Sequence, residues 1–322
     1  MMHCPKADEF FKLSRAATRL VALAALAIPG TSLAQVPSPV EIARDVYFVQ
    51  GLAALGSSAN RNFISNAGFV ITANSVVVID ALGSPTLAQT MVERIKSLTD
   101  KPISHVLVTH YHADHIYGLQ VFKQAGAMIL AHSAAKTYLQ SDAARLRLQA
   151  SRVDLAPWID DRTELTPADR WIDAVTDLQI GGIRFGLTPA GPAHTPEDLT
   201  IAIEERGVIF SGDLAYMGRI PFVGQADSRH WIESVDRLIG LEPKILVPGH
   251  GPIVEMPLAA LQFTRDYLMF LRESMRTAAR DLEPFEDAYL RTDWSTYAAL
   301  PLFELANRMN AYNTYLLMEQ QR

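Results

Sequence analysis

Four side chains able to bind a metal stand within six residues in the run Thr109-His110-Tyr111-His112-Ala113-Asp114-His115. Imidazole nitrogens and a carboxylate at this density suit zinc or a similar first-row ion. Three further groups follow downstream, each where an apolar run ends. His194 lies in Gly191-Pro192-Ala193-His194-Thr195-Pro196-Glu197-Asp198, Asp213 in Ser211-Gly212-Asp213, and His250 in Pro248-Gly249-His250-Gly251. Metal ions held by such donors acidify water and polarise a carbonyl, which is hydrolysis without a Ser or Cys nucleophile. Taken singly, each downstream residue reads as an ordinary loop residue. Their arrival at three separate strand ends, together with the first run, argues for one centre.

The elements that must position these groups follow from hydrophobic pattern. Val106-Leu107-Val108 reads as a short buried strand, and Ile116 to Phe122 as the start of a helix. The first run is therefore a strand-to-helix loop, which can aim several side chains at one point. An extended strand sends neighbours to opposite faces. Upstream, Val40–Val49 contains a strand, and the small residues Gly51–Asn60 predict a mobile loop. Gly68–Thr72 and Ser75–Asp80 predict a hairpin around Ala73-Asn74. Asp80, at its end, either caps a loop or orients a neighbour. Pro85 opens a helix running to about Leu98. Downstream, Ala127–Ala131 predicts a strand leading to a structural His132, and Ala134–Ser151 a helix. Asp154–Asp169 predicts a loop near the site mouth. Strands over 174–180 and 183–189 flank a Gly181-Gly182 turn, and Gly207–Phe210 and Ile245–Val247 are buried strands. The mixture is an α/β pattern.

Residues 1–34 read as a secretory signal. Lys6, Lys12, Arg15 and Arg19 precede the apolar Leu20–Ile28, then Pro29-Gly30 and the small residues before Gln35. The apolar run is shorter than the roughly 20 residues of a membrane span. A paired-arginine motif is absent from it, which points to the general secretion route and a periplasmic product. The single cysteine, Cys4, leaves with the leader, so a metal site must use nitrogen and oxygen. The leader holds four basic and two acidic residues, so its removal shifts the net charge from −6 to −8. That balance disfavours nucleic acid and anionic membrane as partners and leaves a small-molecule substrate. The expected organisation is a leader (1–34), a catalytic domain (35–256) and C-terminal helices (257–322). Two amphipathic runs, Leu258–Arg280 and Leu302–Gln320, make up most of the last part.

The order His-x-His-x-Asp-His, His, Asp, His across residues 40–255 resembles the metallo-β-lactamase superfamily. The resemblance implies an αββα sandwich with the site at one edge of its paired sheets, here carrying a C-terminal helical extension. It implies two Zn(2+) per chain: His110, His112 and His194 on one, Asp114, His115 and His250 on the other, and Asp213 bridging them. It gives Asp114 a further catalytic role in steering a proton, and places Asp80 in support of the ligand loop. The implied reaction is attack by a hydroxide held between ions about 3.5–4 Å apart, on an ester, thioester or lactone. An acid at the bridging position looks more like glyoxalase II and the lactonases than like lactamases, and export argues against a cytosolic thioester. Ser211–Phe222, Val247–Gly251 and Pro301–Asn307 look like the quinoprotein relay system zinc metallohydrolases and their sulfur-oxidation relatives, which implies association with a quinoprotein system. Tyr216 and Arg219 stand where they can reach a substrate; for Arg219 an ion pair with a nearby loop is the preferred reading. Three alternatives stay open: a β-lactam-hydrolysing enzyme, an iron-dependent redox protein, and a metal-binding accessory protein.

Overall fold

The computed structural model describes residues 37–224 and 226–321; the expected leader, with Cys4, lies outside them. The first sheet begins with β1 (Val40–Ala43) and β2 (Val46–Val49). They form a hairpin that turns at Asp45 (φ 63°), where the sequence predicts one strand. β3 (Ala67–Ile71) and β4 (Val76–Ile79) make the predicted hairpin, and α1 (Pro85–Leu98) starts on its proline. β5 (Ile103–Leu107) leads into a one-turn helix α2 (Ala113–Ile116), then α3 (Leu119–Gln124) and β6 (Met128–His132).

The helix predicted over 134–151 is two helices, α4 (Ala135–Leu139) and α5 (Asp142–Asp154). Ser141 starts the second, its hydroxyl accepting from Ala144 N, the preferred role of serine at a helix start. A three-residue strand, β7 (Arg170–Ile172), completes the seven-stranded sheet, whose strands lie in chain order. Three residues carry too little alternation to be read from sequence.

The second sheet runs β8 (Thr176–Ile180), β9 (Ile183–Pro189), β10 (Leu199–Ile203) and β11 (Val208–Tyr216). After α6 (Ser228–Gly240), β12 (Ile245–His250) pairs parallel with β11 and closes that edge. β11 continues six residues past the predicted end at Phe210. Gly212 (φ 53°) bulges the strand there, and the pairing register shifts beside it. α7 (Pro257–Asp281), α8 (Phe285–Arg291) and α9 (Arg308–Gln320) follow. The last predicted helix begins instead as a π-helical turn over Phe303–Asn307, after Leu302 at φ 68°.

Alternation along the strands builds four layers. Val77, Ile79, Leu107 and Leu130 of the first sheet meet Phe185, Leu187, Ile201 and Phe210 of the second. Val76, Val78, Val106 and Ile129 face outward onto α1, α2 and α3. The far face of the second sheet is covered by α6 and α7 through Trp231, Leu261, Leu268 and Met275, and α8 and α9 pack against α7. This is the αββα arrangement with its helical C-terminal region. The described residues belong to one compact unit, Leu33–Arg322. Among them, no helix is long and apolar enough to cross a membrane.

Candidate metal centre

The ligand loop is held at both ends by one buried carboxylate. Asp80 closes β4 in a left-handed conformation (φ 58°). Its Oδ1 accepts from Thr109 N, and its Oδ2 from Thr109 Oγ1 and His115 Nδ1, each at 2.8 Å. The last bond fixes the His115 tautomer and leaves Nε2 directed at the centre. His112 stands just before α2, whose single turn carries Asp114 and His115 on adjacent positions.

The other three groups come from the second sheet. His194 lies on the β9–β10 loop, braced by Asp198, which accepts from Thr195 N and Thr195 Oγ1 at 2.8 Å. Asp213 lies within β11 and His250 ends β12. His250 Nδ1 donates to Ile64 O at 2.7 Å, which again leaves Nε2 for the centre. Gly249 lets the two strands close in: a Cβ there would sit 1.9 Å from Asp213 Oδ1.

All seven predicted residues converge. One ligand atom each from His110, His112, His194 and Asp213 lie within 4.8 Å of one another, as do those of Asp114, His115 and His250. Asp213 reaches both groups: Oδ2 is 3.2 Å from His194 Nε2 and 3.3 Å from His250 Nε2, and Oδ1 is 3.3 Å from His115 Nε2. Three atoms that face this point, His110 Nε2, His115 Nε2 and Asp213 Oδ1, are buried without a hydrogen-bond partner among the described residues. An orphaned buried polar atom costs about 1–3 kcal/mol, so three together fit a centre completed by cations. The donor set is entirely nitrogen and oxygen, which zinc and other first-row ions accept.

The electrostatics suit ligation. Burial, then the neighbouring His194, pushes His112 down to about 3, and burial with His115 holds His110 well below the ordinary histidine range. Both therefore stay uncharged at neutral pH, the form in which imidazole ligates a metal. Burial pulls Asp114 upward, but His115 and His250 outweigh it and keep the carboxylate ionised. Its side chain is 15% exposed against 3% for Asp213, so it is the more open carboxylate at the centre.

Tyr216 does not reach toward a substrate. It is fully buried, and its hydroxyl donates to Asp213 Oδ2 at 2.5 Å while its ring stacks on His250. Arg219 does not make the expected ion pair with a loop. Its guanidinium lies over the Tyr216 ring with Nη1 3.3 Å from His250 Nδ1, and among the described residues no carboxylate pairs with it. His132 stays outside the cluster, its Nδ1 accepting from Ala134 N. The Gly51–Asn60 loop is tied down: Trp158 Nε1 donates to Ser58 O, and Asn60 Nδ2 to Leu55 O.

Two supports escape the sequence reading. Asn66 donates from Nδ2 to Pro248 O and Gly251 O at 2.8 Å and accepts from Gly51 N, which secures the loop around His250. Nothing local marks Asn66, since its partners are distant. Asp198 had a signal: a carboxylate three residues after Thr195 is a side-chain-to-backbone turn pattern.

The Metallo-beta-lactamase superfamily model matches residues 60–250. A type 2 metallo-beta-lactamase of Bacillus cereus is 24% identical over 204 residues, covering 62% of this chain and 72% of that one. A linear primary-alkylsulfatase of Pseudomonas sp. (strain ATCC 19151) is 21% identical, over 66% of this chain and 47% of its own length. Among solved structures, a metallo-beta-lactamase from Pontibacter korlensis aligns over 73% of this chain and 99% of its own, with 19% identity and a TM-score of 0.58. The sec-alkylsulfatase Pisa1 from Pseudomonas sp. aligns over 87% of this chain at 16% identity and a TM-score of 0.67. This chain spans about half the length of each alkylsulfatase.

Proposed function

The chain belongs to the metallo-β-lactamase superfamily, and from that premise we propose that it is an exported dinuclear zinc hydrolase that cleaves an ester, thioester or lactone. The observation that carries this reading is the convergence of seven nitrogen and oxygen donors with three orphaned atoms among them. His110, His112 and His194 would hold one ion, Asp114, His115 and His250 the other, and Asp213 both. When bound, the ions would supply Lewis acidity, acidifying water near neutral pH and polarising the bond to be cleaved.

The chain's own residues do the rest. Burial keeps His110 and His112 unprotonated, and Asp80 holds His115 in one orientation. Asp114, ionised and partly open, accepts a hydrogen bond from the attacking water and so aims its lone pair. Phe222, 37% exposed with its ring 6.4 Å from that of His112, forms an apolar wall at the mouth.

The alkylsulfatases among the similar proteins support a second reading, hydrolysis of an alkyl sulfate ester. Export to the periplasm after cleavage before Gln35, and association with a quinoprotein system, belong to the same proposal; the leader and the three segments named above support them.

The test is a panel assay of the chain freed of its leader and loaded with zinc. A thioester, an aryl ester, a lactone, a chromogenic cephalosporin and an alkyl sulfate would each be run with a chelator control, beside a metal count. Chelator-sensitive turnover of an ester, thioester or lactone with two zinc ions per chain is expected. Turnover of the alkyl sulfate alone selects the second reading, and no turnover with iron retained would overturn both.

A further inference from the structure

The helices after residue 256 lie beyond the span matched by the family model, yet one of them touches the metal centre through two steps. Tyr216, the last residue of β11, is fully buried and gives its hydroxyl to Asp213 Oδ2. Its backbone N donates to Thr264 Oγ1 at 2.9 Å, and Thr264 is a fully buried residue of α7. The Thr264 hydroxyl donates in turn to Ala260 O at 3.0 Å, so it is held by its own helix. The Tyr216 ring is fixed from the sides by His250, stacked at 5.1 Å, and by Trp231 at 6.3 Å.

A carboxylate that spans two groups of ligands can rotate about its last bond. Among the described residues, only its Oδ2 has a hydrogen-bond donor from outside the ligand set, and that donor is Tyr216. We propose that Thr264 and Tyr216 are positioning residues of the metal centre: α7 sets the height of Tyr216, and the tyrosine hydroxyl sets the rotation of Asp213 so that it faces both ligand groups. The C-terminal helical region is then a working part of the site. This inference rests on the reading of Asp213 as a shared ligand.

The experiment measures metal stoichiometry and affinity by competition with a chromophoric chelator. It compares the parent protein, Asp213→Ala, Tyr216→Phe, Thr264→Val and Thr264→Ser, with the melting temperature of each metal-free form recorded alongside. Tyr216→Phe and Thr264→Val should each weaken the more loosely held ion about tenfold or more, the usual cost of removing a partner that orients a ligand. Thr264→Ser keeps the hydroxyl and should restore parent affinity. Thr264→Val leaves a buried amide without a partner, so Tyr216→Phe carries the test if the valine variant does not fold. Parent affinity in Tyr216→Phe, or a lowered melting temperature with parent affinity in Thr264→Val, overturns the inference while Asp213→Ala still loses an ion. A parent protein that takes up no ion, or an Asp213→Ala variant that binds as the parent does, overturns the metal reading itself and this inference with it.

Discussion

The two halves of the centre are built by opposite means. The first-sheet half, His110 to His115, is contiguous in the chain and held at both ends by Asp80, at the end of the neighbouring strand. The second-sheet half takes one residue each from the β9–β10 loop, from within β11 and from the end of β12, and is secured by contacts between distant parts of the chain, such as those of Asn66 to Pro248 and Gly251. The first half is a local device with a local brace. The second exists only when the sandwich is assembled. A shared carboxylate, Asp213, joins them, which explains why that residue is held so closely by Gly249 and Tyr216.

If this contrast is right, removing the shared member should do most damage. Asp213→Ala is expected to lower chelator-sensitive turnover by roughly a thousandfold or more, because both ions would lose a ligand at once. Metal counting on the same variant should show fewer than two ions.

The braces should then separate affinity from stability. Asp80→Asn keeps the shape of the brace but removes its charge and one acceptor. It should weaken metal binding by about 10–100-fold, seen in competition titrations, with a smaller effect on folding. Asn66→Ala removes three hydrogen bonds from a buried loop junction and should lower unfolding free energy by about 2–4 kcal/mol, seen in denaturant melts of the metal-free protein. Equal effects of the two variants on both readouts would erase the distinction between a local and a long-range half.

The smallest expected effect concerns Glu197, on the loop that carries His194. Burial, then the neighbouring Asp198, pushes this carboxyl up to about 7 from an ordinary value of 4.5. Between those two values the folded protein keeps a proton that the unfolded chain has lost, so stability falls as pH rises through that window. Glu197→Gln removes the loss. It should melt above the parent at pH 7 and higher, by at most about 3 kcal/mol in unfolding free energy, and match it below about pH 4.5. A constant offset at every pH would assign the effect to packing instead.

The same contrast decides what could be read from sequence. The first run announces itself because its spacing is local, and the αββα layering follows from strands whose alternate residues face different layers, as Val76 to Ile79 do. His194, Asp213 and His250 were found because each ends an apolar run, which is a local sign too. What was hidden depends on neighbours far away in the chain. Asn66 looks like any polar residue before a strand. The extension of β11 past Phe210 needs a bulge at Gly212 and a parallel partner to form. Arg219 was expected to find an acid nearby, but the folded chain sets it against His250 and Tyr216 instead.

The span of the Asn66 bonds also has a consequence for how the protein acquires its ions. They join residues 182 and 185 positions apart, so the second half of the centre is completed only when the chain from Asn66 to Gly251 has come together. The contiguous run keeps its four donors even in an unfolded chain. Ions present during folding can therefore bind the unfolded form through that run, and such binding subtracts from the stabilisation the finished centre would otherwise gain from metal.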